Sequence, residues 1–236
     1  MSLLSLISKS GVIAALLAFA TAANAASSSA QAWLENYYQQ PAPERFASAI
    51  YELSRSGYFE QEGRVPLAIG FIASVFQQNP DRVETWMNVN RVLPVAHQRI
   101  LVSALWYSGH AKGADYLRAY ARSASPELRS DINALLATAS PDLHAAAVRS
   151  DKSLNLQWGA FLATGDTAPV RNILAALAVN DNAELTQDVR WSLAQNAAKH
   201  QRVLAICRDE LSRQPNAVRE TLRAVINDTE VRQPSS

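Results

Sequence analysis

Apolar residues in this chain recur every three or four positions, and that period, more than any other feature, restricts the fold to helices. Val83, Trp86 and Met87 show it, as do Ile100, Leu101, Ala104 and Leu105. Val170, Ile173, Leu174 and Leu177 repeat it, and so do Val218, Leu222, Val225 and Ile226. Each set lines one face of a 3.6-residue helix, whereas a half-buried strand needs strict alternation. The chain is therefore expected to be all-α, with thirteen helical segments between residues 29 and 227, among them 80–92, 141–149 and 215–227.

Punctuation divides this pattern into short pieces. Proline followed by an acid marks starts at Pro43–Glu44, Pro80–Asp81, Pro126–Glu127 and Pro141–Asp142. Proline suits the first helical position, where its missing N–H costs nothing, and the acid complements the positive end of the helix dipole. Stops take the form of an apolar helix closing on Ser or Thr and then glycine, at Gly57, Gly109 and Gly165. Glycine can adopt the left-handed conformation that ends a helix, so each stop reads as the turn of a helical hairpin. Hairpins in series predict an α-solenoid. The stretch from Leu105 to Pro126 is distantly tetratricopeptide-like, but the glycines lie 52 and 56 residues apart, away from the 34-residue period of that family.

The first 25 residues read as an export signal. Lys9 supplies positive charge, residues 11–20 an apolar run, and Ala23 and Ala25 the small residues of a cleavage site after Ala25. An uncleaved anchor would want about 20 uninterrupted apolar residues, and Ser8, Lys9 and Ser10 break this one. The expected organisation is a signal peptide at 1–25, a flexible linker at 26–30, one helical-repeat domain at 31–228 and a flexible tail at 229–236. A periplasmic or secreted location follows, with no transmembrane span in the mature chain. Lys9 is the only charged side chain before Ala25, so the 22 basic and 21 acidic residues balance once it is gone. That balance argues against a nucleic-acid partner, which calls for a basic excess. Cys207 is the single cysteine, so no internal disulfide can form, and its spacing with Val203 and Leu211 predicts a buried, inert thiol.

Two segments, Leu156 to Asp166 and Trp191 to His200, carry a resemblance, and so does Asn79 to Trp86. Together they resemble an exported, all-helical proteobacterial family with no assigned activity. The resemblance implies a location and a fold. It implies no mechanism.

Several chemistries lack their residues. A phosphate-cradling loop needs a lysine after glycine, and none of the four lysines follows one. His97, His110, His144 and His200 are far apart and form no H-E-x-x-H pair, so no metal and no cofactor are expected. The G-x-S-x-G elbow of α/β-hydrolases is absent. A helical glycan-cleaving enzyme would need a positioned glutamate; Glu35, Glu52 and Glu84 lie on predicted helices, where a solvated face is expected, and the Glu–Ser pair of lytic transglycosylases does not occur. Trp86, Trp106, Trp158 and Trp191 sit beside apolar neighbours and are expected in the core. Should the hairpins enclose a groove, its candidate lining is Trp106, Tyr107, His110, Trp158, Asp166, Arg190, Trp191, Asn196 and His200. The expected function is a non-enzymatic scaffold binding a protein or peptide of the bacterial envelope or beyond. The alternative is a peptidoglycan- or glycan-active enzyme using a glutamate.

Overall fold

The computed structural model describes residues 29–178 and 182–232, with side chains to Thr229. The expected signal peptide (1–25), residues 26–28 of the expected linker and residues 233–236 of the expected tail lie outside the described residues. Among the described residues there are twelve α-helices and no strand, as the apolar period requires. They are α1 (29–36), α2 (Phe46–Arg55), α3 (Arg64–Gln78), α4 (Val83–Val89), α5 (Val95–Tyr107) and α6 (Gly113–Arg122). The second half holds α7 (Pro126–Leu136), α8 (Asp151–Thr164), α9 (Thr167–Ala176), α10 (Ala183–Lys199), α11 (Gln201–Glu210) and α12 (Asn216–Arg232).

The punctuation acts locally as its chemistry dictates, with one exception. Pro43 and Pro80 each open a 3-10 turn that feeds α2 and α4, and Pro126 opens α7, whose N-cap Ser125 accepts from the Leu128 N–H at 3.3 Å. Gly57, Gly109 and Gly165 all have positive φ and end their helices. Pro141 is the exception, because residues 141–149 form no helix. Asp142 Oδ1 accepts from the backbone N–H groups of His144 and Ala145, which fixes a turn in place of a first helical coil. The carbonyls that a helix would have used are taken from outside. Gln157, buried on α8, donates to the Leu143 and Ala146 oxygens, and Asn172 on α9 donates to the His144 oxygen at 2.7 Å. Leu143 and Val148 are thereby pinned into the core.

Both ends of the expected domain also shift. Ser29 is already helical and accepts from Arg45, and Ala30 is fully buried, so the linker does not reach residue 30. At the other end α12 runs to Arg232, with Thr229 buried and donating to the Val225 oxygen. The helix thus continues into the segment expected as tail.

At the centre stand α3 and α8. Residues Ala68 to Phe76 are all buried, as are Leu156 to Ala163, so both helices are enclosed on every side. They run in the same direction: Gly63 lies beside Asn155 at their starts, and Gln78 donates to the Ala163 oxygen at their ends. Their backbones meet at two glycines. A Cβ on Gly70 would stand 2.8 Å from the Leu156 carbonyl carbon, and one on Gly159 would stand 2.7 Å from the Phe71 nitrogen. This is the most extensive helix pair in the molecule, and it joins segments far apart in sequence. Around it packs an aromatic cluster in which Trp33, Tyr37 and Phe71 meet edge to face at 5.2–5.3 Å, while Phe46 stacks on Trp86 at 4.4 Å. From α9 to α12 the order changes, each helix packing on helices one or two places along the chain.

Candidate functional site

Helices α1, α3, α8 and α10 converge on an open cleft of about 320 Å³. That volume lies at the lower end of the roughly 300–1,000 Å³ usual for ligand sites, so it admits a few side chains, not a folded partner. The lining follows from helical spacing. On α8, Asn155, Trp158 and Leu162 lie three and four residues apart and share one face. On α10, Trp191, Gln195 and Lys199 form one stripe at four-residue intervals, and Ser192, Asn196 and His200 form the stripe beside it. Leu34 and Glu35 enter from α1, and Glu62, Arg64 and Leu67 from the start of α3.

The inner stripe is tied down and the outer one is not. His200, 5% exposed, closes α10, and its ring sits edge-on between Tyr38 and Phe161, with Nδ1 3.4 Å from the Tyr38 hydroxyl. Burial lowers the His200 pKa, and the charge of Lys199 adds to the effect. Asn196 donates to the Ser192 oxygen. Trp158 is 3% exposed, and its indole N–H finds no acceptor in the protein, a cost of about 1–3 kcal/mol when a polar group is buried alone. Trp191, by contrast, is 66% exposed. The cleft therefore joins an unmatched buried donor, a solvent-facing indole, planar amides and charges of both signs.

The nine candidate residues divide on this geometry. Trp158, Trp191, Asn196 and His200 come together in the cleft. Arg190 faces away with Thr186 and Gln187, and His110 lies in a separate shallow depression with Asp81, Lys112 and Tyr116, its Nε2 3.2 Å from the Pro80 oxygen. Trp106 and Tyr107 end α5, partly buried against the core, and Asp166 stands exposed just before α9. No single groove gathers all nine. The four tryptophans expected in the core divide too: Trp86 and Trp158 are core, Trp106 is half-buried, and Trp191 departs from the expected burial. The reason is angular, because the buried face of α10 is Val189, Ser192, Leu193 and Ala197, and position 191 falls outside it. Sequence reasoning missed Glu62, Arg64, Asn155, Gln195 and Lys199, although the 191–195–199 spacing carried a legible stripe.

Two titratable groups outside the cleft are structural. Burial pushes the Cys207 thiol up to about 12, which keeps it protonated and inert. Glu210, 2% exposed, accepts from Arg171, Arg213 and Gln214. Among the described residues no group of three or more His, Cys, Asp or Glu converges as a metal cage, and no helix is long and apolar enough to cross a membrane.

Fold and site together define an all-helical protein with a small, mixed polar and aromatic cleft at the junction of four helices. No protein-family model matches the chain, and neither the curated proteins nor the solved structures contain a significant match.

Proposed function

We propose that this chain is an exported binding module that seats a short peptide segment in the cleft between α1, α3, α8 and α10. The exposed indole of Trp191 carries this reading: it offers a large apolar face on the wall of a cleft whose polar groups are peptide-like amides. An apolar side chain of the ligand packs on Trp191. Asn155 and Gln195 pair with its backbone amides, and Glu35, Glu62, Arg64 and Lys199 select its charges. In this reading residues 1–25 are the leader that carries the chain out of the cytoplasm, which makes the partner an envelope or extracellular protein. The neighbour-order packing of α9 to α12 supports a hairpin-repeat character for that part.

Calorimetry with a panel of three- to five-residue peptides, each holding one aromatic or aliphatic side chain between charged ones, tests the proposal. Binding that weakens at least about tenfold in Trp191→Ala is the expected result. A panel in which every peptide fails, or binds Trp191→Ala equally well, overturns it. Because Glu35 and Glu62 both line the cleft, a glycan-active enzyme stands as the second reading. Release of soluble fragments from purified cell wall, lost in Glu35→Gln or Glu62→Gln, would favour that reading instead.

A further inference from the structure

Away from the cleft, three side chains form a hydrogen-bonded relay that no local motif announces. Ser54 lies in the last turn of α2, Glu60 in the loop that follows Gly57, and His97 in the first turn of α5. The His97 ring is held between the other two: Nδ1 is 2.7 Å from Ser54 Oγ, and Nε2 is 3.0 Å from Glu60 Oε1. His97 is 7% exposed, and the Phe59 ring meets it edge to face at 5.0 Å, which fixes the imidazole plane. The loop that presents Glu60 is anchored by the buried Tyr58 and Phe59.

With the imidazole neutral, chemistry fixes the donor order. A carboxylate only accepts, so Nε2 carries the proton and donates it to Glu60 Oε1. Nδ1 then holds a lone pair, and the Ser54 hydroxyl must donate to it. This is the arrangement that activates a serine: a base within hydrogen-bond reach of the hydroxyl, and a third group orienting the base. Serine on a helix more often turns its hydroxyl back to its own backbone, as Ser74 and Ser192 do here. Ser54 instead bonds across to another helix.

The geometry points to Ser54 as an activated nucleophile, with His97 as general base and Glu60 as its positioning residue, able to accept the acyl group of a small carboxylic ester. Ser54 is partly exposed and Glu60 is mostly exposed, while Ser54 lines none of the clefts described above. The acyl donor is therefore a small ester that meets the hydroxyl at the surface. In the step, Ser54 Oγ bonds to the ester carbonyl carbon while its proton passes to His97 Nδ1. The bond from that carbon to the alcohol oxygen breaks, and His97 returns the proton to the departing alkoxide. Water attacks the acyl-serine in turn, giving its proton to Nδ1, and Ser54 leaves with its hydroxyl restored. This site is independent of the peptide cleft, and failure of either reading leaves the other standing.

Full-length protein treated with diisopropyl fluorophosphate, followed by intact mass and peptide mapping, tests it. The expected result is one diisopropylphosphoryl adduct, on Ser54, absent in Ser54→Ala. His97→Gln should slow the labelling about 100-fold or more, the usual contribution of a positioned base. Because His97 is buried and its substitution also disturbs packing, the exposed Glu60→Gln gives a second reading and should slow labelling about tenfold. Hydrolysis of p-nitrophenyl acetate should fall in the same order. No adduct, an adduct on another residue, or a labelling rate unchanged in Glu60→Gln would overturn the assignment and leave the trio as a tie between α2 and α5.

Discussion

Between α3 and α8 the closest approach is backbone to backbone, at Gly70 and Gly159, whereas α9 and α11 are joined by side chains gathered around one buried carboxylate. The first region leaves no room for a Cβ, so its tolerance is set by a single methyl group. The second region packs in neighbour order, and Glu210 at the end of α11 draws in Arg171 from α9 and Arg213 and Gln214 from the turn before α12. Close helix approach concentrates dependence in two residues without side chains. Packing in neighbour order distributes it.

The sharpest way to break this contrast is Gly70→Ala or Gly159→Ala. Alanine raises helix propensity by about 1 kcal/mol, but the added carbon would collide with the opposite backbone, which cannot rotate away. Each variant should lose about 3 kcal/mol or more in urea unfolding, and a stabilised variant would show that the crossing is looser than described. In the second region, Glu210→Gln should cost about 2 kcal/mol, since it removes charge-assisted hydrogen bonds while both arginines remain half-exposed and hydrated. The pH response sharpens the assignment. Burial alone would raise the Glu210 pKa, but the hydrogen bonds from Arg171, Gln214 and Arg213 outweigh it and hold the carboxyl below its ordinary value. Its contribution is therefore complete above the ordinary carboxylate range and lost as pH falls through that range toward the lowered folded value. Melting temperatures of wild type and Glu210→Gln should converge at acid pH. The smallest effect belongs to Trp191→Ala, which should change unfolding free energy by less than about 0.5 kcal/mol while weakening the proposed peptide binding at least about tenfold. A large loss of stability there would move Trp191 from the ligand surface to the scaffold.

Local chemistry was legible in the sequence wherever a residue acts on its own helix. The left-handed stops at Gly57, Gly109 and Gly165, the start at Pro126 and the buried Cys207 all follow from spacing and side-chain type. The segment 141–149 was misread for the opposite reason. Its own residues carry a start signal, but Gln157 and Asn172, distant in sequence, take its carbonyls. The cleft was half legible: Trp158, Trp191, Asn196 and His200 belong to it, yet Glu62, Arg64 and Asn155 reach it only because α3 and α8 run side by side.

By itself the sequence determined that this chain is helical, where most of its helices begin and end, and which faces are apolar, because those properties depend on neighbours three or four residues away. Tertiary structure alone decided that α3 and α8 cross at two glycines, that Trp191 stands in solvent beside a cleft, and that Ser54 and His97 share a hydrogen bond. Such facts depend on pairs of residues brought together from separate helices, and a pattern that repeats within one helix carries no record of which helix lies opposite.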